Sequence, residues 1–554
     1  MTVQALDGAV FRIPYDGSPE ALPSRESVGS KAHNLMRMAR IGLPVPAGFV
    51  LGTEVCRAYL ARGPAALDGL ERTLERELSA LGAATGCLFG DPRRPLLVSV
   101  RSGAAVSMPG MMETVLDIGV NARTLGGLVR MTGNPRLARD CYRRLIEQFG
   151  EVVHAVAPAV FEDCCRTTLA ERGCASLEEA DTAGLHEVVK AYLDRFQIET
   201  GAPFPEDPLA QLRQAVEAVL RSWTSARAVS YRRLNAIPDE IGTAVTVQAM
   251  VFGNAGPRSG AGVGFTRSPA DGENQMYVDY VPNAQGEDVV SGRRTALGPE
   301  ELERRAPDAY RALTAARALL EQEFGDMQDF EFTVEQGRLL MLQTRSGKRT
   351  PLAALRIACD LVAEQKLTPQ LASERLRGVE IEAIETVSLS TAPGERPIAE
   401  GTPAGPGVAI GAVVFSADRM ALIAGRGIGT ILVRPSADTN DVAALAGAEA
   451  LVTVEGARTS HAAVVARQLG KVCVVACREL RIDASLRFAT AGAVRLDEGA
   501  VVAVDGQTGR VFLGPHEVTR SRPEALLATA RSWQGTPARP NRPRKPSGRG
   551  TTLA

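Results

Sequence analysis

The sequence predicts a multidomain protein of mixed α/β and α+β class, and three observations predict it. At 554 residues the chain exceeds what one hydrophobic core organises, and three or four compact units follow. Up to about residue 345, short β-branched runs alternate with helical stretches and loops, the pattern of sheets covered by helices. From Gly401 to Gly514 the chain turns rich in Gly, Ala and Val with shorter strands, which marks a separate unit.

Composition narrows the class. Hydrophobic residues make up 45% and charged residues 23%, ordinary for a soluble globular protein. A net charge of −1 provides no global field for nucleic acid or a membrane surface. A run of about 18 apolar residues, the mark of a membrane-spanning helix, is missing, and the N-terminus lacks the basic-then-apolar pattern of a secretory signal. The nine cysteines lack paired C-x-x-C spacing, so reduced packing residues and a cytoplasmic location are expected.

In chain order, Gly29–Leu35 reads as helix, and Gly42–Leu51 as a turn and then a strand punctuated by Pro and Gly. Residues 66–82 have a helical pattern. Leu96–Arg101 is a buried-type strand leading into the small-residue loop 102–110. A helical insert is expected over 134–235, with a break near Gly201-Ala202-Pro203. Strands return at Thr246–Val251 and Val263–Arg267. A helix over 308–324 precedes a hairpin over 328–345. Residues 350–377 read as helix and 378–398 as an irregular linker. Strands follow at Gly411–Phe415 and Thr430–Val433. One short helix is expected near 523–533, and the Pro-rich, basic tail from Gly535 is expected to be disordered. The resulting division is 1–345, a 346–400 linker, 401–515 and a 516–554 tail.

Three groups of residues carry chemistry. The run Thr459–Lys471 lies between β-branched runs at 450–454 and 471–476, with Ser and Thr to cap a helix start and Gly470 to close it. His461, one of five histidines, therefore falls in the first turn of a helix. Backbone N–H groups and the positive dipole end there suit a histidine that accepts a phosphoryl group. A capping-region histidine that only packs is the alternative.

In the hairpin, alternation puts Asp329, Glu331 and Thr333 on one face. A three-residue loop, Glu335-Gln336-Gly337, pairs Thr333 with Leu339, Glu331 with Met341 and Asp329 with Gln343. Two carboxylates and an amide oxygen are hard ligands suited to Mg²⁺ on a polyphosphate, the other reading being a solvated sheet face. Lys31 follows Gly29 near a helix start, and Arg101 ends a buried strand. Each is either a surface charge or a phosphate contact, and loop 102–110 has N–H groups to cradle an anion. Walker and Rossmann fingerprints are both missing.

Several segments together resemble the pyruvate, phosphate dikinase family. They are Gly29-Ser30-Lys31-Ala32-His33-Asn34-Leu35 with Gly42–Phe49; Val98–Ala104 with Ser107-Met108-Pro109-Gly110-Met111-Met112-Glu113-Thr114; Gln248–Asn254; Gly264-Phe265-Thr266-Arg267; Asn283–Val290; Met327–Phe332; Leu342-Gln343-Thr344-Arg345; and Thr459–Arg467. They run in family order from about 25 to 515.

The resemblance implies an ATP-grasp nucleotide-binding domain over 1–345 and a swivelling phosphohistidine domain over 401–515. It implies ATP and Mg²⁺ as cofactors, and phosphate as the acceptor that leaves as pyrophosphate. Lys31, Arg101 and Arg345 would hold phosphates, Asp329, Glu331 and Gln343 would serve metal and nucleotide, and His461 would be the phosphocarrier. Thr459 matches a threonine that is a regulatory phosphorylation site in some members, with helix capping as its other role.

Two departures stand out. The tail after 515 is too short for a pyruvate and phosphoenolpyruvate barrel of about 250 residues, so a separate pyruvate-binding partner is expected. Gly456-Ala457-Arg458 replaces the usual Gly-Gly-Met, and Arg458 either attracts phosphate or is solvated. A non-catalytic nucleotide-sensing protein and a His-swivel phosphotransferase acting on another small molecule are the rival readings. The sequence leaves the oligomeric state open, a homo-oligomer included.

Overall fold

The computed structural model describes residues 8–13, 22–106, 108, 113–177, 179–290, 296–424, 428–436, 442–456, 458, 461–483 and 487–533. Among them, two antiparallel sheets build the first half. The first contains β1 (Val10–Ile13), β2 (Gly48–Leu51), β3 (Val98–Gly103), β4 (Thr114–Ile118) and β5 (Ala244–Ala249), in the order β1-β2-β5-β3-β4. Helices cover both faces. That is why Val98, Val100, Val245 and Val247 sit in runs of buried residues rather than in apolar–polar alternation.

One face packs under the helices Leu70–Thr85, Pro135–His154 and Pro208–Ser222. The other joins Ile13, Val50 and Ala244 to the helix Arg25–Arg40 (α1) and to Phe330 and Phe332 of the second sheet. Helices Pro135–His154, Pro158–Glu171, Thr182–Thr200, Pro208–Ser222 and Ala226–Leu234 follow one another, with Gly201 left-handed (φ +74°) at the break.

The second sheet contains β6 (Gly260–Phe265), β7 (Tyr277–Pro282), β8 (Gln328–Glu335) and β9 (Arg338–Ser346), in the order β9-β8-β6-β7. Its covered face buries Phe330 and Phe332. Gly262 makes room for them, because a Cβ there would meet the Phe332 ring at 2.3 Å.

The β8–β9 hairpin departs from the expected register. Its loop has two residues, Gln336 (φ +49°) and Gly337 (φ +86°). A turn with both φ positive matches the natural strand twist. Asp329 consequently pairs with Arg345, Glu331 with Gln343 and Thr333 with Leu340, and not with Gln343, Met341 and Leu339. The register also shifts between Glu331 and Phe332, leaving Leu342 as a bulge residue. Leu339 and Met341 go to the buried face. Past the bulge, Gln343 and Arg345 go to the face of Glu331 and Asp329.

Residues 378–398 are not the irregular linker expected. Thr386–Ser390 pairs antiparallel with Glu517–Ser521. The partner strand lies far away in sequence and all its residues are exposed, so local patterning carried no trace of the pair. The helix Pro351–Ala363 packs against Glu524–Ser532 through Leu355, Ile357, Leu527 and Trp533. The chain thus enters and leaves the unit 399–513 through one two-stranded ribbon. The basic tail lies outside the described residues.

Within that unit, Val408–Val414, Thr430–Arg434, Ala450–Thr453 and Val472–Val475 form the parallel centre of an eight-stranded sheet. The helices Ala417–Ala424, Val442–Gly447 and His461–Gln468 (α2) belong to one face. The small sheet Leu480–Asp483, Phe488–Ala491, Val494–Asp497 belongs to the other. Among the described residues no helix is long and apolar enough to cross a membrane, and all nine cysteines are free.

Candidate nucleotide and phosphohistidine site

One helix brings the two sheets together. Ser24 caps α1 by accepting from Ser27 N–H, and Gly29 then breaks the helix with φ +75°. A Cβ at Gly29 would lie 2.1 Å from the Gly103 carbonyl oxygen, so only glycine allows this close approach. Ser30 donates to the Ala104 carbonyl from its N–H (2.9 Å) and its hydroxyl (3.0 Å). Lys31 is thereby set beside Arg101 on β3. Five residues beyond Gly29, the Asn34 side-chain amide donates to the Thr344 carbonyl of β9 at 2.8 Å. The same helix therefore places Lys31 and Arg101 in electrostatic reach of Glu331, and Lys31 in reach of Arg345.

The charges are arranged in depth. The Arg345 guanidinium donates to Asp329 at 2.7 Å, with Asp329 the covered end of the pair (13% exposed) and Arg345 the open end (43%). Desolvation therefore falls on the acid. Burial raises the Asp329 pKa although Arg345 opposes it. For Arg345, burial pulls the other way but Asp329 and Glu331 outweigh it, and its pKa is raised. The two shifts favour opposite charge states of the pair; the 2.7 Å contact and the open side of Arg345 keep it an ion pair.

Lys31 is exposed to the open cleft. The walls still strip enough water to draw its pKa below the ordinary lysine value, with Glu331 opposing and Arg101 and Arg345 adding to the fall. Burial lowers Arg101 as well, against Glu331 and Glu287. Arg101 Nε is buried with no acceptor among the described residues, a donor that a phosphate oxygen would satisfy.

Gln343 donates to Glu331 at 3.0 Å. A half-turn of that amide presents its oxygen beside the carboxylate, the donor set a hard cation takes. Among the described residues no three His, Cys, Asp or Glu side chains form a metal cluster. A cation at Glu331, Gln343 and Asp329 would therefore need phosphate oxygens to complete its shell.

Sequence patterning missed the rim. Arg144 lies on the helix Pro135–His154 and donates to Asp140 (2.9 Å) and Asp288 (2.9 Å), with Glu287 at 3.5 Å. Gln148 donates to Glu287 at 2.7 Å. Burial raises the Glu287 pKa, with Arg144 and Arg101 among the groups opposing it. Residues 144 and 148 are one helical turn apart, so the sequence offered only a charged helix face. The Asn283–Val290 motif was the sole signal, and it carried no role.

His461 opens α2 directly after the strand Ala450–Thr453 and its loop, and Gly470 is left-handed (φ +67°) after the helix end. Thr459 and Ser460 lie outside the described residues, as do Ser107 and Pro109–Met112 of the expected phosphate loop. Arg458 is not a freely solvated charge. It is half-buried, with its guanidinium 4.1 Å from the Tyr277 ring centre. Arg467, in the last turn of α2, lies within electrostatic reach of Asp329. The histidine-bearing segment is thus docked on the sheet that bears Asp329.

A cationic wall facing two carboxylates suits a polyphosphate with a cation, and the N-terminus of a helix suits an accepting nucleophile. Comparison with known proteins agrees. The family described as "Pyruvate phosphate dikinase, AMP/ATP-binding domain" matches residues 68–300, and "PEP-utilising enzyme, mobile domain" matches residues 428–509. The chain is 42% identical over 514 residues to a pyruvate, phosphate dikinase of Clostridium symbiosum, covering 92% of this chain and 59% of that protein. It is 40% identical over 521 residues to one of Rhizobium meliloti, covering 92% and 58%. It is 40% identical over 508 residues to a chloroplastic one of Arabidopsis thaliana, covering 91% and 53%. The chain therefore spans little more than half the length of these relatives.

Proposed function

We propose, from the premise that this chain belongs to the pyruvate, phosphate dikinase family, that it carries out the ATP- and phosphate-dependent phosphorylation of His461. The docking of the α2 segment on the Asp329-bearing sheet carries this reading. His461 attacks the β-phosphorus of ATP, the bond to the α-phosphate oxygen breaks, and AMP leaves. Phosphate then takes the γ-phosphoryl group and departs as pyrophosphate, leaving the β-phosphoryl group on the histidine.

Lys31, Arg101 and Arg345 bind and orient the phosphates, and neutralising them in line is most of what such a transfer needs. Asp329, Glu331 and Gln343 would hold Mg²⁺, which supplies charge neutralisation at the bridging oxygens when bound. Arg345 also keeps Asp329 ionised for that task. Thr459, two residues before the nucleophile, is proposed as a phosphorylation site whose added charge would repel the incoming phosphates.

The histidine must then reach a second station. The paired strands Thr386–Ser390 and Glu517–Ser521, the proposed hinge between domain 1–345 and domain 401–515, support rotation of the latter as a body. The acceptor station, and any pyruvate chemistry there, is proposed to lie on residues other than these, a separate pyruvate-binding protein among them.

The test is labelling with ATP carrying radioactive phosphorus at the β or the γ position, with Mg²⁺ and phosphate, on wild type and His461→Ala. Acid-labile β-label on the wild type alone is the expected result. Label from the γ position only points to an ordinary kinase transfer. Retained ATP binding with no label at all overturns the enzyme reading in favour of a nucleotide-sensing protein.

A further inference from the structure

Four residues lie on one rung across the second sheet. Arg345 pairs with Asp329, Asp329 with Phe265, and Phe265 with Tyr277. Directly paired residues on antiparallel strands share a face, so the two aromatic rings stand on the face that carries the Asp329–Arg345 ion pair. Two arginines of the other domain meet those rings. The Arg458 guanidinium lies 4.1 Å from the Tyr277 ring centre, and that of Arg467 lies 5.8 Å from the Phe265 ring centre.

The two contacts are tied together. Arg467 donates from Nη2 to the Arg458 carbonyl at 2.9 Å and from Nη1 to the Ala404 carbonyl at 2.8 Å. Neither arginine reaches its ring through a flexible tip alone: Arg467 braces the turn on which Arg458 stands. Arg458 Nε is buried without a hydrogen-bond acceptor among the described residues. The ring face therefore stands in for an acceptor, and a desolvated guanidinium on a π-face is where such contacts are strongest. Burial draws both arginines below the usual pKa, and Asp279 is within electrostatic reach of both. A cleft of about 440 Å³, lined by Tyr277, Asp279, Gly298, Thr402, Gly456 and Arg458 among others, remains between the domains beside the clamp.

We infer that Arg458 and Arg467 form a two-point clamp on the Tyr277–Phe265 platform that seats the His461 helix at the nucleotide station. Arg458 and Tyr277 are positioning residues. They touch no reacting atom, and they set the fraction of time the phosphohistidine domain spends docked. The consequence for catalysis rests on the function proposed above; the docking itself does not, and can be measured without turnover. A single cation–π contact of this kind shifts the docked population about three- to thirty-fold.

The experiment uses the full chain with Tyr277→Phe, Tyr277→Leu, Arg458→Lys and Arg458→Met. Small-angle scattering reads docking, and transfer of β-label from ATP reads phosphorylation. Tyr277→Leu and Arg458→Met should enlarge the radius of gyration and slow labelling about three- to thirty-fold at saturating ATP. The KM for ATP should stay unchanged. Tyr277→Phe, which keeps the ring face, should behave as wild type, and Arg458→Lys should fall between.

Should the leucine variant scatter and label like wild type, or the phenylalanine variant fail as badly as leucine, the clamp is overturned. A merely structural role would lower the melting temperature and affect phenylalanine and leucine alike. If the wild type takes no label at all, the proposed function fails, and the scattering comparison still decides the clamp.

Discussion

Gln343 donates to Glu331 at 3.0 Å across one rung of the hairpin, and it does so because Leu342 bulges out one position earlier. Without the bulge, strict alternation from Met341 would turn Gln343 and Arg345 toward Phe330 and Phe332. Deleting Leu342 removes the extra residue itself, so Gln343 follows Met341 directly and stays on the Glu331 face; ATP binding in calorimetry should survive the deletion. Leu342→Ala, which keeps the bulge, should cost only about 1 kcal/mol and retain binding.

Arg101 separates binding from folding. Its Nε has no acceptor among the described residues, and Lys31 is a like-charged neighbour. Arg101→Met should leave the urea midpoint unchanged or slightly raised. It should slow transfer of β-label from ATP by about 10²–10³-fold, the usual loss on removing one donor to developing phosphate charge. A lowered midpoint with unaltered label transfer would reverse the assignment.

Part of this site was legible in sequence and part was not, and the division follows range. The helix opening at His461 and the shared face of Asp329 and Glu331 depend on periods of 3.6 and 2 within a dozen residues. Lys31 and Arg101 were legible as types, but their meeting depends on Gly29 touching Gly103 across the fold. The register of Gln343 depended on a two-residue turn and a bulge, for which an apolar leucine gives no cue. Arg144 looked like any charged residue on a helix. Arg458 presented two readings, phosphate or solvent, and its actual partner was an aromatic ring in another domain.

Arg267 joins the nucleotide domain to the linker helices. It is fully buried and donates to Glu321 (2.9 Å) and Glu364 (2.7 Å), and Asp360 lies at 3.5 Å. Lys366 also contacts Glu321. Replacing Arg267 with Met leaves the buried Glu321 with one cation, on a side chain that lacks the guanidinium fork. A loss of about 3–5 kcal/mol is expected, read as a lower denaturant midpoint. Faster amide exchange over 351–363 should accompany it, because that helix supplies Asp360.

Asp117 sets a pH dependence unrelated to catalysis. It is fully buried on β4 in the left-handed region (φ +58°), and among the described residues its carboxylate has no N–H or O–H donor, only the weakly donating Cys141 thiol beside it. Burial pushes its pKa up to about 7, with Arg144 opposing. The unfolded chain releases this proton near pH 4, so between about pH 4 and 7 the folded state holds more protons than the unfolded one. Stability therefore falls as pH rises through that window and levels off above it, by at most about 4 kcal/mol. Asp117→Asn is neutral at every pH, and asparagine tolerates a positive φ at least as well as aspartate. The variant should lose this part of the pH slope and be more stable than wild type at pH 8, with the two converging at pH 4. Parallel urea-midpoint profiles for the two proteins from pH 4 to 8 would show that the carboxyl ionises alike in the folded and unfolded chain.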